Sequence, residues 1–345
     1  MRIDALARRI ELPLLVTAPV NVWYLTGLRS SNAAVLVEPD ASATVYSDFR
    51  YAQKARAVEG VEFVETSRYL FSSLAEVLAG RRLGFEEAHL TVASHRTLAE
   101  GGLDLVPTNG LVEGLRAVKD DVELAAMRRA GELSDEVFAS LSKERFTGRT
   151  ERELAWWIER SFREAGAEAT SFQAAVAAGP NADAPHADPG ARVVERSMFV
   201  IVDAGCMVDG YCSDCTRTFS TGDPPQRLLE AYELCLEAQL AGLAAVRPGV
   251  SGRDADAASR EPIESAGLGS AYGHGLGHGV GIEVHEAPVL RPESQDVLQP
   301  GNVVTVEPGI YLPGEGGVRI EDLVLVTAEG SERLTQFPKE LATVA

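Results

Sequence analysis

Apolar and polar positions follow two rhythms along the first third of the chain. Short apolar runs at 12–19 (LPLLVTAP), 33–39 (AAVLVEP), 43–49 (ATVYSDF) and 81–87 (RRLGFEE) read as strands. Between them, 51–60 (YAQKARAVEG, ending at Gly60), 72–80 (SSLAEVLAG) and 93–102 (ASHRTLAEGG) carry helical spacing. Strand and helix in alternation build an α/β layer. The rhythm changes near Asp120, where a long amphipathic helix begins. A second helix follows at 149–166, with Thr150 as N-cap, Glu153 at the capping-box position, and Trp156 and Trp157 as core or domain-packing residues. The change of pattern predicts two domains, 1–118 and 119–345, which suits a chain of 345 residues with ample apolar content.

From about residue 170 a period of two takes over. SMFVIVDAG (197–205) and YCSDCTRTFS (211–220) flank Asp209-Gly210, a strong hairpin signal. Pairing across a two-residue turn sets Asp203 opposite Thr216. Residues two apart on a strand share a face, so Asp203 and Asp214 point the same way. Helices at 227–249 and 252–267 follow, separated at Pro248-Gly249. The chain then returns to strands at 302–312 (NVVTVEPGIYL) and 316–327 (GGVRIEDLVLVT). Glu307 and Glu321 each fall inside one of these apolar strands, where a carboxylate is costly unless it is paired or metal-bound. No internal repeat or low-complexity tract interrupts the pattern.

Composition narrows the partners. Acidic residues outnumber basic ones by 51 to 32, a net charge of -19, which argues against nucleic acid or an anionic membrane as partner. No run of eighteen apolar residues predicts a membrane span. The opening MRIDALARRIELPLLV lacks a signal-peptide apolar region and cleavage site, so a cytoplasmic location is expected. Four cysteines are no disulfide framework. Cys212 and Cys215 form a C-x-x-C beside Asp214, but inside an apparent strand and without a second pair they read as small buried hydrophobes.

Five side chains stand out as candidate ligands: Asp203, Asp214, His278, Glu307 and Glu321. Carboxylates with one imidazole suit Mn²⁺, Co²⁺ or Zn²⁺. Two such ions activate water at neutral pH for metal-assisted hydrolysis. The glycines around His278 (Gly273, Gly275, Gly277, Gly279 and Gly281) have no following helix to cradle phosphate, and they read as allowing backbone to approach a ligand closely. Arg319, two residues before Glu321 and on its strand face, is placed to orient the metal carboxylates.

In these motifs the chain resembles the pita-bread metallopeptidases, in the branch that holds prolidase, aminopeptidase P and creatinase. The likeness rests on VIVDAG, DCTRTF, HGLGHGVGIEVHE, TVEPGIY and VRIEDLVLVT, and in the first domain on NVWYLTGL (21–28) and SDFRY (47–51). It implies an α/β (α+β) fold: a creatinase-like amino-terminal domain followed by a pita-bread catalytic domain. It also implies two divalent metal ions, Mn²⁺ first and Co²⁺ or Zn²⁺ as alternatives, bridged by Asp214 and Glu321. Asp203 would complete one shell, and His278 and Glu307 the other. By the same resemblance Glu307 shuttles a proton, His186 and His285 hydrogen-bond the scissile carbonyl, and His274 and Tyr311 belong to the pocket. A homodimer is implied as well. Methionine aminopeptidases usually lack such a first domain, and creatinases lack the full ligand set.

The resemblance implies small peptides with proline second as substrates. Between dipeptidase and aminopeptidase P the dipeptidase is favoured, on the short first domain and overall size. A dipeptidase must meet the substrate carboxylate with a cation. Some prolidases carry an arginine four residues after the histidine matching His285, where this chain has Val289; Arg291 is the nearest candidate. Arg29 or Arg50, from the first domain of a partner subunit, are the others. A pita-bread binding protein without metals is the non-enzymatic rival, disfavoured by the complete ligand set and the acidic surface.

Overall fold

The computed structural model describes residues 2–344 and divides the chain into two compact units, 1–116 and 117–345, against the 118/119 boundary expected from sequence. Among the described residues, no helix is long and apolar enough to cross a membrane.

The first unit is built on one six-stranded mixed sheet. Its strands are β1 (Leu14–Val16), β2 (Ala33–Val37), β3 (Ala43–Asp48), β4 (Glu62–Thr66), β5 (Arg82–Glu86) and β6 (Asp104–Thr108), in the order β4-β3-β2-β1-β5-β6. Leu15, Leu36, Tyr46, Leu74, Leu83 and Leu98 pack its core. The two edge strands, β4 and β6, escaped the sequence reading because their residues are half-buried or exposed and carry little apolar signal. The run 12–19 is a strand only over three residues. A helix, Pro19–Thr26, takes over, with proline in its first turn and Gly27 (φ 72°) closing it through an N–H donated to Trp23 O. The helix expected to reach Gly60 is shorter, Ala52–Arg56.

In the second unit the capping signals act as written. Helix Asp121–Leu141 has a capping box between Asp120 and Glu123, and helix Glu151–Glu164 has one between Thr150 and Glu153. Trp157 packs against the core, whereas Trp156 is 64% exposed, contrary to its expected packing role. Three short strands come first: β7 (Ala169–Thr170), β8 (Ala175–Ala178) and β9 (Phe199–Asp203). Next are β10 (Cys206–Val208), β11 (Tyr211–Cys212) and β12 (Thr216–Ser220). The Asp209-Gly210 hairpin has the predicted register: Val208 pairs with Tyr211 and Asp203 with Thr216.

Helices Gln226–Ala245 and Gly252–Ser265 lead to β13 (Gly277–Gly279), β14 (Glu286–Leu290), β15 (Val303–Val306), β16 (Gly309–Leu312), β17 (Gly316–Arg319), β18 (Asp322–Val326) and β19 (Ser331–Arg333). β15 pairs with β18 and β16 with β17, so the last long hairpin is broken on both arms. The breaks fall at Glu307-Pro308 and Ile320-Glu321. The two glutamates therefore stand at a bend between strands, where sequence reading had each inside a continuous strand. Proline ends a ladder because it has no N–H to give.

Alternation decides which side chains face the helices. Val200, Val202 and Phe219 pack into the core with the first two helices, and Val304 and Val306 into a core with Val246 and Ala255. The intervening positions, Asp203 on β9, Thr216 on β12 and Thr305 on β15, turn to the opposite side.

Candidate active site

A cavity of about 590 Å³ in the second unit brings together eleven of the predicted residues: His186, Asp203, Asp214, His274, His278, His285, Arg291, Glu307, Tyr311, Arg319 and Glu321. Arg29 and Arg50 belong to the first unit. There the Arg50 guanidinium is clamped on the buried Asp48 carboxylate at 2.9 and 2.7 Å, and Arg29 stacks over Trp23 at 4.6 Å.

Asp214, His278 and Glu321 offer ligand atoms within 4.8 Å of one another. His278 Nε2 lies 3.2 Å from Glu307 Oε1 and 3.8 Å from Asp214 Oδ2. Its Nδ1 lies 3.1 Å from Gly279 O and can keep a proton there, so that a metal ion would take the place of the Nε2 proton that otherwise faces Glu307. Asp203 Oδ2 accepts from Arg319 Nη2 at 2.7 Å. Arg319 also donates to Tyr311 OH (3.0 Å), Thr216 Oγ1 (3.2 Å) and Pro185 O (3.2 Å). Tyr311 OH is in turn 3.0 Å from His274 Nε2.

Two threonines were missed. Thr216 donates to Glu321 Oε2 at 2.6 Å and Thr305 to Glu307 Oε1 at 3.1 Å. Each stands two residues from a candidate ligand, Asp214 or Glu307, that lies just beyond the threonine's strand, so the period of two carried past the strand end was the signal that could have found them. Gly277 and Gly279, on either side of His278, are required by packing as well. A Cβ on Gly277 would lie 2.2 Å from Thr305 O, and one on Gly279 2.2 Å from Ala287 O. Both come into close approach with neighbouring strands.

The electrostatics are those of a cation site. Two buried carboxylates, Asp214 and Glu321, and two half-buried ones, Asp203 and Glu307, gather near the Arg319 guanidinium. Burial first, then the charges of Glu321 and Asp203, push Asp214 well above the ordinary carboxyl range. Burial, then Glu307 and Asp203, do the same to Glu321. Burial also pushes Glu307 up, but the His278 hydrogen bond and charge outweigh it and hold that carboxyl at about 2. Burial and the neighbouring His278 lower His285, whose ring centroid is 4.2 Å from that of His278, so His285 is a neutral donor near pH 7. Asp203 Oδ1 and Asp214 Oδ1 are buried without a hydrogen-bond donor among the described residues. Such orphaned acceptors are rare and call for a partner. Hard or borderline divalent ions fit this donor set.

Cys206, Cys212, Cys215 and Cys235 are buried free thiols, in keeping with the reading of Cys212 and Cys215 as small buried hydrophobes.

Comparison with known proteins agrees with this geometry. Residues 125–328 match the model of metallopeptidase family M24, and residues 12–118 that of the Creatinase/Prolidase N-terminal domain. An uncharacterized peptidase, YqhT, of Bacillus subtilis is 37% identical, over 95% of this chain and 94% of its own length. Among solved structures, an Xaa-Pro dipeptidase from Bacillus anthracis is 38% identical, with a TM-score of 0.95 over 99% of each chain. An X-Pro aminopeptidase from Thermotoga maritima is 30% identical, with a TM-score of 0.89 over 99% of this chain and all of its own.

Proposed function

The chain belongs to metallopeptidase family M24 and is a peptidase, and from that premise we propose that it hydrolyses the bond between a first residue and proline in dipeptides. The observation that carries the reading is the gathering of five metal-type ligands in a single cavity, with Arg291 as a cation beside them that is not tied to a ligand carboxylate as Arg319 is. The likeness to the Bacillus anthracis dipeptidase over nearly the whole chain supports it.

In this reading Asp203, Asp214, His278, Glu307 and Glu321 hold two divalent ions, with manganese the first to test. When bound, such ions supply Lewis acidity and a water that loses its proton near neutral pH. Arg319 fixes the Asp203 carboxylate, and Thr216 fixes that of Glu321. The Glu307 carboxylate receives the proton of the attacking water and passes it to the leaving prolyl nitrogen. His186 and His285 donate to the scissile carbonyl oxygen as negative charge develops there. The working form is proposed to be a cytoplasmic homodimer.

Arg291 is the local candidate for the substrate carboxylate. Val289, in β14, and Arg291, just past its end, line the same cavity, so in this reading a cation at 291 serves where one at 289 is missing. Arg291→Ala is expected to raise KM for Ala-Pro roughly 10- to 100-fold, the loss of a charge-assisted hydrogen bond of about 1.5–3 kcal/mol. The same change should admit Ala-Pro-Ala. The second reading, removal of the first residue from longer peptides, is favoured by the Thermotoga maritima likeness and by the absence of arginine at 289. Hydrolysis of Ala-Pro against Ala-Pro-Ala with Mn²⁺ separates the two. Equal rates on both peptides would make the enzyme an aminopeptidase.

A further inference from the structure

His186 is carried by a loop whose two ends meet on one buried carboxylate. Glu151, the first residue of helix Glu151–Glu164, is fully buried. Its Oε1 accepts the Ala178 N–H at 2.8 Å and Asn181 Nδ2 at 2.9 Å. Its Oε2 accepts the Gly190 N–H at 2.9 Å and Asn181 Nδ2 at 3.0 Å. Ala178 ends β8, and Gly190 is where the chain returns to the helix, its carbonyl accepting the Arg152 N–H at 3.1 Å. One side chain thus closes the loop 179–189. The outgoing half has further ties: Asp183 Oδ2 accepts the Gly314 N–H at 2.7 Å, and Pro185 O accepts from Arg319 at 3.2 Å. The returning half is brought home at Gly190.

We propose that Glu151 is a positioning residue for hydrolysis: by joining Ala178 to Gly190 it sets the span of the loop and with it the place of His186 over the metal carboxylates. The inference rests on the reading of His186 as a group that meets the substrate carbonyl. Its chemistry is specific to a carboxylate, which presents acceptors on both oxygens. Glutamine at the same length replaces one acceptor with an NH₂, which must face a backbone N–H at Ala178 or Gly190. A buried N–H deprived of its acceptor is costly, and a loop released at one end regains the entropy that closure had removed.

The test is a cycle on the full-length, metal-loaded enzyme with Ala-Pro: wild type, Glu151→Gln, His186→Ala and the double variant. Glu151→Gln should lower kcat at least tenfold with little change in KM and full metal content. In the His186→Ala background the same change should cost less than twofold, the non-additivity of residues that act as one. Amide exchange gives a second readout free of turnover. In Glu151→Gln the Gly190 amide should exchange at least tenfold faster, while Val200 and Val202 in β9 stay as in wild type. An equal loss of kcat in both backgrounds overturns the proposal, because Glu151 would then act through something other than His186. Unchanged exchange at Gly190 overturns the tie itself, whatever His186 does. Wild-type turnover in His186→Ala together with faster exchange at Gly190 overturns the catalytic consequence and identifies the role given to His186 as the failed premise. Should Glu151→Gln not fold, Glu151→Asp, which keeps both acceptors one methylene short, is read by the same two measurements.

Discussion

Asp214 and Glu321 are the two acids that burial and their neighbours push furthest from ionising, and both face the same imidazole. Asp214→Asn or Glu321→Gln should therefore abolish hydrolysis and release bound metal, read by elemental analysis beside turnover. Full occupancy with normal rate in either variant would sink the ligand assignment. His186→Ala and His285→Ala should instead lower kcat by roughly 10²–10³ each with metal content kept, since each is assigned to the carbonyl oxygen and neither to an ion. Loss of metal in one of them would move that histidine into the ligand set. At this scale the sequence was most legible where it broke its own apolar pattern: a glutamate among valines must have a partner. It was least legible for side chains whose task is to hold another. Glu151 sits in a helix's first turn, where an acid needs no further reason, and its contacts with Ala178 and Gly190 join residues 27 and 39 positions away. Arg217 is the same case. Buried at 2% exposure, it donates to the carbonyls of Thr216, Glu321, Phe337 and Pro338 and to Asp322. Nothing in its local pattern separates it from a surface arginine.

Strand pairing brings these residues together, and β13 has little room for change. Gly277 meets the Thr305 carbonyl where a side chain would stand, and Thr305 both accepts the His278 N–H and holds Glu307. Gly277→Ala should force β13 from β15, lowering Tm by several degrees and weakening metal binding at His278. Unchanged Tm and metal affinity would mean the sheet yields locally without disturbing the ligand. The sequence announced the turn, capping and hairpin elements because short-range chemistry encodes them: Asp209-Gly210 fixed a register, and Asp120 with Glu123 a helix start. It did not announce the bend in the last hairpin, because the apolar runs 302–312 and 316–327 continue through it. The close contacts of the glycines around His278 are likewise set by β14 and β15, strands that lie further along the chain.

For the whole molecule, the buried acids make stability depend on pH and on metal together. Asp214 and Glu321 have folded pKa values above their unfolded ones, so the metal-free folded chain holds protons that the unfolded chain has released. Stability then falls as pH rises from the ordinary carboxyl range upward. Glu307 has the opposite sign: its share is present above the unfolded value of 4.5 and is lost as pH falls towards 2. In metal-stripped protein, Glu321→Gln should melt higher than wild type at pH 7, with the difference shrinking towards pH 4. Excess Mn²⁺ should reverse the order at pH 7, because the ion binds only the folded wild-type site. A difference that ignores pH and Mn²⁺ would show that these carboxylates do not repel one another. The bent hairpin carries this coupling into folding itself. With Val306 opposite Asp322 and Gly309 opposite Arg319, the two glutamates stand at one level, and a slip of one residue on either arm would turn its carboxylate to the wrong side. A chain paired out of register has no place for the ion. On the proposed ligand set, dissolved divalent metal would act as a proofreader of strand pairing, drawing off only those molecules whose last hairpin has closed correctly.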